Sequence, residues 1–370
     1  ISVVNPALWF PNGYGEQPLY GFRIELRCAG EMRDEKQVSF GIRTVRVMQA
    51  EDEPGGAYAA RAALCRALPH TAGLEAADRS AGFILLVNGK RICCKGANWV
   101  PCEPFPGKIP ETRYAALLSL ARDAGLNMLR VWGGGYMEDA AFYRLCDEWG
   151  IMVTQDFLMA CGEYPEEDED FCEQIRRETA HMAKTLRNHP SLMWWTGDNE
   201  VGASGREEQP DYPGRYVTER VIAPVLRHYD ELRPYFPTSP YGGAVNACCT
   251  SGTTHNTYFL GDLWNYCRVG DFSDVPNFWK YFPARFIAEA PILGAPTLSS
   301  LRRFLPEEAI FDTEEDLWRY HTKVNPTPEL LEFGFWDCQK ALAAGMFGPC
   351  TSAQDRLLKL QYLQYEWVRI

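Results

Sequence analysis

Two glutamates in this sequence each stand directly after a short, mainly apolar run. Glu200 follows residues 192–197 by three positions, and Glu289 follows residues 285–288. Such runs predict buried strands, and in a parallel α/β barrel the carboxyl ends of the strands face the active site. Two carboxylates about 5 to 5.5 Å apart suit glycoside hydrolysis with retention of configuration. One must stay protonated as the acid and the other ionised to attack. The alternative, that each glutamate only pairs with an arginine, stays open here.

The composition is that of an ordinary globular chain with an acidic net charge. Of its 370 residues, 46% are apolar and 23% are charged, and the net charge is −12. We therefore expect neither nucleic acid nor an anionic membrane as a partner, because both attract basic patches. No apolar run approaches the roughly 20 residues that span a bilayer. The aromatic content of 13% fits either a cleft that stacks sugar faces or a filled core.

The 13 cysteines follow no framework pattern. No C-x-x-C occurs and no Cys/His group has zinc spacing, so we predict no metal site and no cofactor. The glycines at 133–135 lack the dinucleotide-binding spacing. Unpaired cysteines and the lack of a signal peptide favour a cytoplasmic location over export. The chain begins with Ile1 instead of Met, so we expect its natural N-terminus to lie upstream.

The first 80 residues predict elements that precede the barrel. Residues 1–48 alternate as strands at 19–26 and 38–47, with the apolar face of the first strand formed by Tyr20, Phe22, Ile24 and Leu26. They predict the end of a β-sandwich. Residues 49–80 are interpreted as a linker or insertion. A hairpin is then predicted around Asn88-Gly89, a preferred two-residue turn.

From residue 81 the pattern becomes strand, loop, helix, repeated. Strands are predicted at 93–98, 127–132, 151–156, 192–197, 236–239, 253–255 and 285–289. Helices are predicted at 111–124, 138–149, 171–187, 216–229, from 298, from 314 and at 352–370. Seven βα units in a row favour an α/β fold of the (β/α)8 TIM type over residues 81–370. No eighth strand follows the last helix, so we expect the barrel to be incomplete in this chain.

Several motifs stand in a fixed order along the chain. They are residues 5–15 (NPALWFPNGYG), 95–101 (KGANWVP), 130–135 (RVWGGG), 147–151 (DEWGI), 155–157 (QDF), 187–191 (RNHPS) and 197–200 (GDNE). Together they resemble glycoside hydrolase family 2, and within it the β-mannosidase-like branch. The resemblance implies an immunoglobulin-like sandwich that ends within residues 1–48, followed by the barrel.

The resemblance also implies roles for individual residues. Glu200 would be the general acid/base, Glu289 the nucleophile, and Asn199 the residue that holds the sugar 2-hydroxyl. Further substrate-binding candidates are Asn98, Trp99, Arg130, Trp132, Asp156, His255, Tyr258 and Trp264. Structural alternatives stay open for four of them: a buried ion pair for Arg130, a supporting role for Asp156, a loop histidine for His255 and simple packing for Trp264.

Two positions depart from the family pattern. Glu103 stands where β-mannosidases usually place an aspartate that contacts the sugar, and Ala290-Pro291 follows Glu289 where an aromatic residue and glycine are usual. Both departures weigh on the prediction that mannose is the sugar the protein prefers. The expected function is a retaining exo-β-glycosidase that acts on a glycoside or oligosaccharide, with β-mannosides as first choice. β-Galactosidase, β-glucuronidase and exo-glucosaminidase activities, or a catalytically silent carbohydrate-binding homologue, are the alternatives.

Overall fold

The computed structural model describes residues 2–60, 80–202, 212, 214–242, 251–255, 284–290, 294–311, 316–321 and 335–369. The chain divides into two compact units. The first takes in residues 1–59, 76–255 and 284–289, and the second includes the described residues from 290 onward.

The N-terminal strands of the first unit form two small antiparallel sheets. Strand β1 (Tyr20–Cys28) pairs with β2 (Glu31–Phe40). Strand β3 (Val45–Met48) joins a hairpin made of β4 (Ile84–Val87) and β5 (Lys90–Ile92). The hairpin turns at Asn88-Gly89, as predicted, and both turn residues have the positive φ that a type I′ turn requires.

The apolar face predicted for β1 is only half covered. Tyr20 and Phe22 stack on Phe40, with ring centroids 5.7 and 4.7 Å away. Ile24 and Leu26 are 55% and 61% exposed. The alternation therefore predicted the strand correctly, while nothing in the described part of the chain covers the second half of its apolar face.

The prediction of one continuous strand over residues 38–47 is wrong. The chain bends at residues 41–44, between β2 and β3. A Cβ on Gly41 would lie 2.7 Å from the Pro190 side chain, so only glycine allows this approach. The Arg43 guanidinium donates to the carbonyl oxygens of Pro190, at 2.9 Å, and Leu192, at 2.6 Å. The bend follows from this long-range docking, which a local alternation does not reveal.

Parallel strands follow the hairpin in the predicted order. These are β6 (Gly96–Trp99), β7 (Met128–Val131), β8 (Met152–Asp156), β9 (Leu192–Thr196) and β10 (Tyr235–Phe236). They form a parallel five-stranded sheet in the order β10-β9-β8-β7-β6. Two further strands, β11 (Thr254–His255) and β12 (Ile287–Glu289), pair in parallel with each other. The seven predicted strands are all present, with boundaries shifted by a few residues.

Helices alternate with the first parallel strands. They are α1 (Glu111–Asp123), α2 (Ala140–Trp149), α3 (Glu169–Leu186) and α4 (Ala223–Tyr229). Helix α2 ends at Gly150, whose φ of 71° makes a left-handed cap. A π-helical stretch (Val217–Ile222) precedes α4. Pro224, just after this stretch, has no N–H to donate to the carbonyl of Arg220 within it.

The second unit contains five described helices. They are α5 (Leu298–Leu301), α6 (Glu307–Phe311), α7 (Asp316–His321), α8 (Phe335–Phe347) and α9 (Ala353–Arg369). Helix α8 was not predicted, because apolar residues recur around most of its circumference and leave no clear stripe of period 3.6. Across the described residues of both units, no helix is long and apolar enough to cross a membrane.

The N-terminal segment around Trp9 and Asn12 packs against the amino ends of the barrel strands and covers them. Trp9 is fully buried and its indole donates to the carbonyl oxygen of Asp147 at 2.8 Å, close before β8. The Asn12 amide donates to the carbonyl of Gly150 at 2.8 Å. Trp9 also belongs to an apolar cluster that includes Met128, Met152, Met193 and Trp194. The N-terminal segment thus supports the end of the barrel opposite to the carboxyl ends of the strands.

We expect Trp9→Ala to lower the free energy of unfolding by about 3 to 5 kcal/mol, because it empties a fully buried site and removes the donor to Asp147. Denaturant unfolding followed by circular dichroism measures the change. Val4→Ala is the control, since Val4 is 84% exposed and its truncation should change stability by no more than about 0.5 kcal/mol. Equal stability of the two variants would contradict the sealing role.

Candidate active site

Seven polar side chains meet at or just past the carboxyl ends of six parallel strands. They are Asn98 from β6, Arg130 from β7, Asp156 from β8, Asn199 and Glu200 after β9, His255 from β11 and Glu289 from β12. All seven were predicted from the sequence as site residues. This edge is where parallel α/β barrels carry their active sites.

Arg130 is the centre of this group. Its guanidinium is 7% exposed and lies 2.7 Å from Asp156 Oδ2 and 3.0 Å from Glu289 Oε2. It also donates to Asn199 Oδ1 at 2.6 Å and approaches Asn98 Oδ1 at 3.4 Å. The buried ion pair that the sequence left open for Arg130 is therefore present, and it includes one of the two glutamates.

Asp156 supports this arginine from the interior. Its carboxylate is fully buried and also accepts the Gly133 amide at 3.1 Å. Burial raises the pKa of Asp156, while the charge and hydrogen bonds of Arg130 oppose that shift. Burial also acts to lower the pKa of Arg130, but Asp156 and Glu289 outweigh it and raise the pKa. The structure gives Asp156 the supporting position that the sequence left open.

Glu200 and Glu289 lie close together and are partly exposed. A carboxylate oxygen of each and a ring nitrogen of His255 all lie within 4.8 Å of one another. The side chains of Glu200 and Glu289 are 20% and 29% exposed, whereas His255 is 1% exposed. Two partly exposed carboxylic acid side chains therefore stand beside a buried imidazole.

His255 contacts the two glutamates unequally. Its Nδ1 lies 2.5 Å from Glu200 Oε1 and 4.0 Å from Glu289 Oε2, and its Nε2 lies 2.8 Å from Ser239 Oγ. Burial acts to raise the pKa of Glu200, but the hydrogen bond and charge of His255 outweigh it and lower the pKa. The short Glu200–His255 contact requires a hydrogen atom between Nδ1 and Oε1, so the two side chains form a hydrogen-bonded pair.

The same three side chains are those that could hold a metal ion among the residues the structure describes. Two carboxylates and an imidazole suit a divalent cation such as zinc. The Arg130 guanidinium, however, already lies 3.0 Å from Glu289 Oε2. A second cation at that oxygen would meet like-charge repulsion, so the site is better suited to proton chemistry than to metal binding.

Trp99 is not part of the site, which corrects the prediction made from the sequence. Its indole is 8% exposed, donates to Glu138 Oε1 at 2.8 Å and packs on Phe142. Successive residues of a strand point to opposite faces. Asn98 faces Arg130, so Trp99 must face the helices on the outer side of the sheet.

Glu103 lies apart from the seven side chains of the cluster. It forms an ion pair with Arg113 at 3.3 Å, and its side chain is 45% exposed, so its substrate contact stays a prediction. Trp132 is half-buried, with its ring against Gly134, and its substrate contact stays a prediction. Tyr258 and Trp264 lie outside the described residues.

Two residues that touch the cluster were not predicted from the sequence. Ser239 ends the fifth predicted strand and bonds His255. Cys161 Sγ lies 3.4 Å from both Glu200 Oε2 and Asn199 Nδ2. Burial and the charge of Glu200 raise the pKa of the Cys161 thiol to about 11. Ser239 could have been found from its place at a strand end; Cys161 lies beyond its strand and gave no signal.

Comparison with known proteins agrees with this geometry. Residues 81–235 match the family described as glycosyl hydrolases family 2, TIM barrel domain. The chain is 31% identical over 346 residues to a β-mannosidase of Capra hircus, and the matched region covers 88% of this chain and 35% of the relative. It is 32% identical over 323 residues to β-mannosidase B of Thermothelomyces thermophilus, with coverages of 82% and 34%.

A solved structure is similar over nearly the whole chain. The crystal structure of a β-D-mannosidase from Dictyoglomus thermophilum has a TM-score of 0.80 and 33% identity, and the match covers 98% of this chain and 40% of that one. The chain spans about a third of the length of the two curated relatives. From these matches, the chain belongs to glycosyl hydrolases family 2, whose TIM barrel domain it carries at residues 81–235.

Proposed function

We propose that this chain carries the catalytic site of a retaining exo-β-glycosidase, with Glu289 as nucleophile and Glu200 as general acid/base. The observation that carries the proposal is the pair of partly exposed glutamates, in which an oxygen of one carboxylate lies within 4.8 Å of an oxygen of the other. Retaining enzymes hold their carboxyl groups about 5 to 5.5 Å apart, whereas inverting enzymes separate them by about 6.5 to 9.5 Å. The shorter spacing leaves no room for a water between the second carboxylate and the sugar, so that carboxylate itself attacks.

The reaction then proceeds in two displacements. A Glu289 oxygen attacks the anomeric carbon while Glu200 gives its proton to the leaving oxygen, which departs as an alcohol. In the second step Glu200, now a carboxylate, takes a proton from water as that water attacks the anomeric carbon. The ester bond to Glu289 breaks, the sugar leaves, and both glutamates regain their starting states.

The contacts of Glu289 and Asn199 support their proposed roles. Arg130 donates to Glu289 Oε2 at 3.0 Å, which orients the carboxylate that is to attack. Glu200 contacts the imidazole of His255 at 2.5 Å instead. Asn199 accepts from Arg130 through Oδ1 and gives one N–H of Nδ2 to Cys161 Sγ, so its other N–H can serve a sugar hydroxyl.

β-Mannosides are the substrates we propose first. The support is similarity to proteins named as β-mannosidases, at 31% to 33% identity over most of this chain. Glu103, which stands where β-mannosidases usually have an aspartate, pairs with Arg113 in this structure. A panel of p-nitrophenyl β-glycosides, assayed with the intact protein, tests the choice; fastest turnover of another sugar would overturn it.

We expect Glu289→Gln to lower kcat by at least about 10⁴-fold, since the amide cannot attack. Glu200→Gln should lower kcat by about 10² to 10⁴-fold, with the smaller losses for activated aryl leaving groups that need little protonation. A 2-deoxy-2-fluoro mannosyl fluoride should label Glu289, as read by peptide mass spectrometry. Lack of any turnover by the unmodified intact protein would favour the silent carbohydrate-binding homologue instead.

We expect His255→Asn to move the alkaline limb of the kcat/KM pH profile to higher pH. The alkaline limb reports loss of the Glu200 proton, and His255 holds the Glu200 pKa below its ordinary value. Without His255 the burial of Glu200 dominates, its pKa rises and the acid form persists at higher pH.

His189→Asn is the matched control for this profile. His189 forms a similar short contact, 2.6 Å from Asp147 Oδ2, but it is not among the residues of the cluster. Its replacement should leave the alkaline limb in place. A limb that stays fixed or moves to lower pH in His255→Asn would contradict the assigned role of His255.

A further inference from the structure

Asp198 is a buried carboxyl that the proposed reaction does not use. It stands two residues before Glu200 and is 0% exposed. Its Oδ1 accepts the Thr238 hydroxyl at 2.5 Å and the Val201 amide at 3.2 Å. Its Oδ2 is buried and has no hydrogen-bond partner among the described residues. Both hydrogen bonds of this carboxyl group are therefore accepted by Oδ1.

The backbone around Asp198 has an unusual conformation at the proposed acid/base. Glu200 has a φ of 58°, in the left-handed region that residues with a side chain rarely adopt. Its amide donates to the Ser239 carbonyl at 2.8 Å, and the Ser239 amide donates to the Asp198 carbonyl at 2.9 Å. The bond from Val201 to Asp198 Oδ1 closes the turn over residues 198–201. Such side-chain closure is typical of aspartate in turns.

We propose that Asp198 is a positioning residue for Glu200. Its Oδ1 fixes the far end of the turn at Val201 and ties the near end to Thr238, on the segment whose Ser239 carbonyl holds the Glu200 amide. The left-handed backbone of Glu200 then directs its carboxylate to His255 and Cys161. This inference rests on the proposed function, because it assigns a role through the acid/base.

The role does not depend on whether Asp198 is charged. Burial raises the pKa of Asp198 to about 7. The ionisable groups that influence it or are influenced by it are Asp156, Arg130, Tyr212 and Tyr235. A proton on the unpartnered Oδ2 leaves Oδ1 free to accept both donors. Asparagine, whose carbonyl oxygen can take the place of Oδ1, should therefore preserve the turn, whereas alanine removes the acceptor.

The test compares Asp198→Ala and Asp198→Asn in the intact protein on two substrates. One substrate is 2,4-dinitrophenyl β-mannoside, whose leaving group needs little protonation, and the other is an alkyl β-mannoside, whose leaving group needs it fully. A misplaced acid slows only the second. Thr179→Val is the control, since Thr179 is a fully buried hydroxyl on α3 that bonds the Ile175 carbonyl.

We expect Asp198→Ala to lower kcat/KM at least tenfold for the alkyl substrate and less than threefold for the dinitrophenyl substrate. Asp198→Asn and Thr179→Val should stay within threefold of the unmodified protein on both. Equal losses on both substrates, or no loss, in a folded Asp198→Ala variant would overturn the inference. If that variant is insoluble, Asp198→Leu, whose side chain has a similar shape and no hydrogen-bond acceptor, takes its place and must show the same substrate dependence.

This test separates the inference from the function on which it rests. An unmodified protein that hydrolyses neither β-mannoside, nor any other β-glycoside, would overturn the proposed function itself. A crystal structure of the Asp198→Ala variant gives a readout without turnover. We expect Glu200 to leave the left-handed region and lose its contact with His255; an unchanged Glu200 would overturn the positioning role.

Discussion

The arrangement of the site depends on one buried cation. Arg130 meets two carboxylates and two amide oxygens that come from four different strand ends. Removing it would leave Asp156 as an unpaired charge with no exposure to water, which is strongly unfavourable. The guanidinium thereby fixes where Glu289 and Asn199 can lie. The two glutamates also differ in their neighbours. Glu289 contacts the permanently charged Arg130, whereas Glu200 contacts the imidazole of His255.

The strand ends are extended by backbone pairing beyond the regular sheet. Asn199 bridges in parallel to Ala160 on one side and to Ser239 on the other. Two non-glycine residues in this region, Cys161 and Glu200, have φ values of 51° and 58°. Strain of this kind persists where the surrounding contacts over-determine it, and it clusters at functional sites. The part of the site beyond the strand ends is thus formed by single β-bridges and turns that extend the parallel sheet.

Much of this arrangement could be predicted from the sequence, because strand ends carry a strong signal. The seven parallel strands, with Glu200 and Glu289 after two of them, were predicted from apolar runs and turn residues, whereas the other polar residues of the site were predicted from the family resemblance. The direction in which the Trp99 side chain points was not predicted, because a four-residue strand has too little alternation to show that Trp99 and Asn98 lie on opposite faces. The bend at residues 41–44 depends on Pro190 and Leu192, far away along the chain. Contacts between distant segments also explain why Cys161 and the left-handed Glu200 escaped prediction.

The sealing of the barrel by Trp9, Asn12 and Arg43 has a consequence for how such a protein can change over generations. These contacts stabilise the amino ends of the strands, close before β8 and at the start of β9. Loops at the carboxyl ends take no part in them and can accept substitutions without disturbing this support. A residue such as Glu103 can therefore change, and sugar preference with it, while the buried arginine and its carboxylates stay in place.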